Sequence, residues 1–525
     1  MTQLQYLSTV LACGVFASAC TAADKQPSGD DQGSDYGGDG SGSGSGDGSG
    51  SGSGSGGVVD TDNNAGGPDV GADTMPTYPT AHPRIYLPKN QARLQAALAM
   101  NTAPAARFRL VVDRYINGED IYGMKEWQVA LMGALTNDAK YCTHAVNEVD
   151  SYVASEEAKI AAGQQPTVAA DSYLDVGWVI GDVMMTYDWC NARVSASQKT
   201  RWLRYANQAV WNVWHPAQAI WGSTPRAWSG WAVDDPANNY YYSFLRATAY
   251  LGLAAKGEDA QADTWITQFR DTKMLGQLVP AFDAQLRGGG SREGTAYGVS
   301  MRDLFGLYDF WEGSTGEKLG AKTKHARQSM HSFMHQMMPT LDRFAPTGDQ
   351  ARDSTATFFD YQRNYLQELI ALYPQDALAP RAKAMLDNSS LPVMARPELF
   401  VYDFLYDNAA VTAQPLAGMG TDYYASGIGH LYSRSGWDRQ ATWVELIGGP
   451  YTQSHAHMDQ GSLMIYKEGW LGYDGVISSF SGIIQDTGSH SLVSIKNASG
   501  PLRQITPTMS QTVGVHAGSD WFYAA

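Results

Sequence analysis

From residue 83 to about residue 406 apolar side chains return at every third and fourth position, and after Pro415 they return at every second. The first period belongs to helices with one buried stripe, the second to strands with one buried face. The helical pattern is clearest over residues 90–100, 195–213, 239–255, 297–311 and 358–372. Ser195-Ala-Ser-Gln supplies a capping start and Gly313-Ser-Thr-Gly a stop. About ten to twelve helices joined by short turns fit this stretch, which suits a layered ring of helical hairpins better than a four-helix bundle. Alternation predicts strands at residues 428–434, 441–447, 462–466 and 491–496, the beginning of an antiparallel sheet domain. That domain is expected to continue past Ala525, because the closing Asp520-Trp-Phe-Tyr-Ala-Ala has no terminal character.

The first 78 residues follow neither period. Residues 7–19 are a largely apolar run ending in Ala17-Ser18-Ala19, a small-residue cleavage pattern, so residues 1–20 read as an export signal. Phe16-Ala17-Ser18-Ala19-Cys20 resembles a bacterial lipobox, which makes Cys20 the candidate lipidation site. It lacks a preceding Lys or Arg and has Ala17 where Leu is usual. Residues 21–78 are a Gly/Ser/Asp-rich linker with almost nothing to bury, a tether rather than a domain. An exported protein on the outer membrane or cell surface is expected, otherwise a periplasmic or secreted one. No stretch of the sequence is long and apolar enough to span a bilayer.

The chain has 525 residues with a formal charge of −16, from 37 Lys+Arg against 53 Asp+Glu. Nucleic acid is thereby excluded as a partner, since a phosphate backbone needs a basic face. Much of the acidity lies in the first 75 residues, which hold ten Asp and one Lys, leaving −7 for the rest. A local basic or metal-bearing cleft is compatible with that remainder. Cys142 and Cys190 are the two cysteines of the globular part and read equally as one disulfide or two buried thiols.

Candidate chemistry gathers late in the chain. His455, His457 and Asp459 alternate, so an extended backbone turns them to one face, and Asp474 and His490 follow. These are ligand types that Zn²⁺ prefers. His331 and His335 lie four apart on a predicted helix but lack the Glu of a hydrolytic H-E-x-x-H, which favours a helix-surface reading. Trp221, Trp228 and Trp231 precede Asn238 and suit either sugar stacking or helix packing.

Residues 431–475, with Tyr432-Ser-Arg-Ser-Gly-Trp-Asp438, Gly448-Gly-Pro450, the His455/His457/Asp459 run and Tyr473-Asp474-Gly475, resemble the heparinase II/III-type polysaccharide lyases. His82-Pro-Arg-Ile-Tyr-Leu87, Tyr187-Asp-Trp189, Asn238-Asn239 and Arg292-Glu-Gly-Thr-Ala-Tyr297 resemble that family's helical half, in its order. The resemblance implies an α+β multidomain fold: an α/α toroid over residues 79–412, then a partial antiparallel β-sandwich over residues 413–525. It also implies β-elimination on a uronate-containing acidic polysaccharide in the cleft between the two. Tyr297 then matches the catalytic tyrosine, acting as acid and, with its pKa lowered by a cation such as Arg292, as base. Asn239 matches the donor to the substrate carboxylate, with Asn238, Arg292 and Trp231 as substrate contacts. Where many members have Asn-His, this chain has Asn239-Tyr240, so Tyr240 or His455 has to be the base. His457, Asp474 and His490 match zinc ligands, making Zn²⁺ the implied cofactor, structural before catalytic. Two other readings stand beside the lyase: a glycan-binding surface lipoprotein without chemistry, and a glycoside hydrolase with Glu293 and Asp349 as its carboxylates.

Overall fold

Helical periodicity becomes fifteen α-helices in the computed structural model, which describes residues 60–61, 74–349, 356–473, 486–505, 507, 510, 512, 514–517 and 522–524. Residues 1–59, with the export signal and Cys20, lie outside the described residues, as do most of the linker and Asp474. Described residues belong to the compact unit that runs from Gly56 to Ala525.

The helices are α1 (Leu87–Ala99), α2 (Ala103–Ile116), α3 (Glu126–Thr136), α4 (Ala139–Ala161), α5 (Val176–Trp189), α6 (Ala196–Trp214), α7 (Asn239–Ala255) and α8 (Ala262–Thr267). A π-helical turn, Gln268–Leu278, leads into α9 (Val279–Gln285), α10 (Gly294–Tyr297), α11 (Met301–Thr315), α12 (His325–Gln336), α13 (Asp360–Leu372), α14 (Ala379–Asn388) and α15 (Phe400–Leu405). The fold class is α+β, a toroid of helical hairpins followed by an antiparallel β domain. In α6 the expected cap is present as a full capping box of Ser195 and Gln198, and α11 stops at Gly316, whose φ of 82° is left-handed. Helix α7 covers the predicted residues 239–255 and is buried almost all round, as the innermost helix of a ring must be.

Two elements differ from expectation. The helix predicted at residues 297–311 is broken into α10, a 3₁₀ turn Gly298–Ser300 and α11, so Tyr297 ends a short helix instead of opening a long one. The strand predicted at residues 491–496 leaves the main sheet, because Val493 is 87% and Ile495 63% exposed and only Lys496 joins a two-residue ribbon.

The opening motif docks onto the ring. Asp188 at the end of α5 accepts hydrogen bonds from the backbone N–H groups of Arg84 and Ile85 at 2.8–2.9 Å, and the Trp189 indole donates to the Ile85 carbonyl. A disulfide joins Cys142 of α4 to Cys190 at the end of α5, with Cα atoms 5.3 Å apart.

The first eight strands are β1 (Asp60–Thr61), β2 (Ile220–Trp221), β3 (Thr224–Pro225), β4 (Asp422–Ala425), β5 (His430–Arg434), β6 (Trp443–Ile447), β7 (Leu463–Tyr466) and β8 (Trp470–Gly472). β4 to β8 form an antiparallel meander in sequence order, with β1 parallel at the β4 edge. In β6 the alternation is complete: Trp443, Glu445 and Ile447 are buried, Val444 and Leu446 less so. The buried face packs on α12, where Trp443 Nε1 and Arg434 Nη2 both donate to the His335 carbonyl, at 2.8 and 2.9 Å. This contact corrects the surface reading of α12. His331 is 6% and His335 0% exposed, packed on Tyr423 of β4 at 4.2 and 5.5 Å between ring centroids.

Candidate functional site

Three distant loops meet where the helical ring touches the sheet domain. Thr295 N–H donates to the Thr347 carbonyl (2.8 Å) and Thr295 Oγ1 to the Ala345 carbonyl (2.6 Å), fixing the approach to Tyr297 against residues 345–349. Asp349 N–H donates in turn to the His455 carbonyl at 2.9 Å, in the loop between β6 and β7. The approach is so close that a Cβ on Gly348 would lie 2.8 Å from both the Glu293 and His455 carbonyl oxygens. Only glycine fits there, and its φ of 73° asks for glycine as well.

The result is a stack. The Tyr297 ring lies on the His455 imidazole with centroids 3.6 Å apart and planes 4° from parallel. His455 Nδ1 is 3.1 Å from Asp349 Oδ2, and His457 Nε2 is 2.9 Å from Asp349 Oδ1, so one buried carboxylate orients both imidazoles. Asp349 is 1% exposed, whereas the His455 side chain keeps 12% exposure. Asp349 was legible only as a residue type, and the separation of 106 residues from His455 leaves no local signal for the pairing.

The other expected residues fall into different settings. Asn239 begins α7, and its Oδ1 is buried without a hydrogen-bond partner among the described residues. Asn238 is the N-cap of that helix, 2% exposed, accepting from Tyr240 N–H and facing Gln453 of the β-domain loop. Tyr240 turns its hydroxyl to Asp171 at 3.0 Å. Arg292 uses Nε on the Gly427 carbonyl (3.0 Å), Nη1 on Thr452 Oγ1 (3.3 Å) and Nη2 on the Gln285 carbonyl (2.7 Å), a clamp between ring and sheet. Burial holds its guanidinium below the usual arginine value, with Asp235 acting in the opposite direction. Trp231 is 46% exposed, while Trp221 is buried and Trp228 packs edge-on against Phe244.

Glu293 is 0% exposed, and burial holds its carboxyl well above the usual carboxylate range. The Asn239 backbone N–H favours the charged form but does not reach hydrogen-bonding geometry. Glu293 and Asp349, the two carboxylates of the hydrolase reading, are both buried, at 0% and 1% exposure.

His457 and His490 are 1% and 8% exposed with ring centroids 5.2 Å apart. His457 Nδ1 is buried without a partner among the described residues, while its Nε2 is held by a carboxylate. That is the arrangement of a metal-ligating histidine, whose second nitrogen is oriented by a carboxylate. The donor set fits a zinc ion as far as these two imidazoles reach. Among the described residues no group of three His, Cys, Asp or Glu gathers to hold a metal, and Asp474 lies outside them.

Comparison with solved structures gives neighbours of low identity. Heparinase III aligns with a TM-score of 0.48 and 13% identity, over 75% of this chain and 56% of that one. The heparan sulfate lyase HepC from Pedobacter heparinus aligns with a TM-score of 0.40 and 13% identity, over 76% and 66%. The chondroitin AC lyase of Streptomyces coelicolor A3, in complex with chondroitin sulphate, aligns with a TM-score of 0.42 and 13% identity, over 73% and 54%. The chain thus spans between about half and two thirds of these neighbours' lengths. No protein-family model matches the chain, and no curated protein matches it in sequence. Among the described residues no helix is long and apolar enough to cross a membrane.

Proposed function

We propose that this protein is a polysaccharide lyase that cleaves a uronate-containing acidic polysaccharide by β-elimination. The observation that carries the reading is the Tyr297–His455 stack, backed by Asp349 at 3.1 Å from His455 Nδ1. The reaction removes the C5 proton of the uronate, forms the C4–C5 double bond and breaks the C4–O bond, with a proton returned to the departing oxygen. It needs a base, an acid and a neutralised carboxyl group side by side. His455 is assigned as base, its tautomer set by Asp349 as a carboxylate sets the orientation of a catalytic imidazole. Tyr297 is assigned as the acid that protonates the leaving oxygen. The Asn239 amide is assigned to the substrate carboxylate, and burial pushes the nearby Glu293 carboxyl upward, toward its uncharged form. Tyr240 is left out of the proton transfer because its hydroxyl is engaged by Asp171.

His457 and His490 would hold a zinc ion, with Asp474 as the third ligand. The ion would brace the β-domain loop that carries His455. Export and a lipid anchor at Cys20 complete the proposal and rest on the sequence alone.

A second reading, a glycan-binding protein on the same scaffold, is favoured by the Tyr240–Asp171 bond at a position where a base would otherwise stand. Ultraviolet absorbance separates the two. The chain is incubated separately with alginate, heparan sulfate, hyaluronan and polygalacturonate, and a rise from unsaturated uronate is expected with one of them. No rise with any, while glycan binding persists in calorimetry, would transfer the assignment to the binding protein.

A further inference from the structure

We propose that Gln453 is a positioning residue for the β-elimination, an amide bridge that keeps Asn239 at the start of α7 in register with His455 of the sheet-domain loop. The inference rests on the lyase reading for its effect on turnover and on geometry for the bridge itself.

The chain enters α7 through two side chains that each accept a nearby backbone N–H: Asp235 Oδ1 from Ala237 at 3.1 Å and Asn238 Oδ1 from Tyr240 at 3.2 Å. Caps of this kind set where the helix begins, and here the next residue is Asn239. Gln453 spans the pair. Its Nε2 donates to Asp235 Oδ2 at 3.1 Å and lies 3.4 Å from Oδ1, and its Oε1 accepts from Asn238 Nδ2 at 3.4 Å. Gln453 is 7% and Asn238 2% exposed, and 218 positions separate Gln453 from Asp235. The Gln453 carbonyl accepts the Ala456 N–H at 3.2 Å, so His455 sits inside the turn that Gln453 begins. One side chain thus ties the helix start that carries Asn239 to the turn that carries His455.

The order of donors along the bridge is fixed. The Tyr240 N–H can only donate, so Asn238 turns its oxygen there and its amino group to Gln453. Gln453 in turn offers its oxygen to Asn238 and its amino group to the Asp235 carboxylate, which can only accept. Glutamate has the same length but would satisfy Asn238 alone, setting a second negative charge against Asp235. Arg292, Glu293 and Tyr242 are the other titratable groups that feel Asp235, and the Arg292 nitrogens are engaged by Gly427, Thr452 and Gln285. A displacement of about 1 Å between groups that must act together costs on the order of 10²-fold in rate.

The test exchanges donor and acceptor across the bridge in the full chain, with Gln453→Glu, Asp235→Asn and the two combined, assayed for unsaturated uronate at pH 8. Gln453→Glu is expected to lower kcat about 10- to 100-fold with KM within about threefold of wild type, because placement and not substrate contact is lost. Adding Asp235→Asn gives the new carboxylate an amide donor, and kcat is expected to return to within about threefold of wild type. At pH 5 one of the two facing carboxyls of Gln453→Glu takes a proton, so its deficit relative to wild type at the same pH narrows. Gln453→Met, which lacks both bonds at every pH, shows no such narrowing. Wild-type kcat in Gln453→Glu, or no recovery in the combined variant, overturns the bridge. A second readout needs no turnover. In protein labelled with ¹³C-histidine, the His455 Cε1–H resonance, identified by its loss in His455→Gln, carries the ring-current shift of the Tyr297 ring stacked on it. It is expected to move in Gln453→Glu and to return in the combined variant, and an unmoved resonance overturns the bridge. Should Gln453→Glu not fold, Gln453→Met is compared with wild type in kcat and in this resonance. If the wild type forms no unsaturated uronate, the lyase reading falls and the resonance alone decides whether Gln453 sets the place of His455.

Discussion

Tyr297 and His455 lie face to face, 3.6 Å between ring centroids, although 158 positions separate them in the chain. The phenol comes from the helical ring and the imidazole from the sheet domain, so the pair forms only when both are docked. Tyr297→Phe keeps the stacked ring and removes only the acidic hydroxyl. The expected outcome is loss of about 10²- to 10⁴-fold in the rate of unsaturated uronate formation, the usual contribution of a general acid. The melting temperature is expected to stay within a degree or two of wild type, and a large fall would give Tyr297 a structural role instead.

Asp349 is the hinge of the arrangement, since its two oxygens hold His455 and His457 and its N–H holds the His455 carbonyl. Asp349→Asn keeps the shape and the backbone bond but substitutes an amide donor for one acceptor. One histidine is then left without its carboxylate, at a cost of about 1–3 kcal/mol for a buried charged hydrogen bond. Loss of activity together with lower zinc content by elemental analysis is expected. Full zinc content with unchanged activity would show that the carboxylate orients neither ring.

How far the sequence carried differs by element. The span of α7 and the Ser195 cap were legible because apolar spacing and capping chemistry are local. The break at Gly298–Ser300 was not, because it is imposed by the three-loop junction around Thr295 and Thr347, which spacing does not reveal. The burial of His331 and His335 was hidden for the same reason: α12 is covered on one side by the sheet, and its histidines and serines carry no apolar stripe there. His455 and His457 were legible as alternating residues, whereas the Asp349 carboxylate that holds both came from a loop more than a hundred residues away.

Burial of neutral histidines sets an acid limit on stability. Burial pushes His325 and His331 each down to about 4 and holds His335 well below its usual value, with Arg327 adding to the shift at His331 and Arg434 to that at His335. In the unfolded chain these rings titrate near 6.5, so their contribution is complete above that pH and is lost as pH falls toward the folded values. His335 has neither ring nitrogen hydrogen-bonded among the described residues, so His335→Leu removes the titration without breaking a bond. Its stability relative to wild type, measured by urea denaturation, is expected to improve by up to about 1.4 kcal/mol for each pH unit below 6.5. A difference that does not change with pH would mean that the ring is not neutral in the fold.

Glu293 imposes the opposite dependence. Its carboxyl is held well above the usual range by burial, so the folded state keeps a proton that the unfolded chain releases near 4.5. The favourable contribution is full below that pH and declines as pH rises toward the folded value. Glu293→Gln carries no proton to lose, so its stability relative to wild type is expected to grow between pH 5 and pH 8, by up to about 1.4 kcal/mol per unit. The absolute offset depends on how the amide is accommodated, but the slope depends on the proton alone. A flat difference across that range would mean that Glu293 is ionised at neutral pH. The carboxyl beneath Asn239 would then repel a uronate, and the assignment of Asn239 to the substrate carboxylate would fall with it.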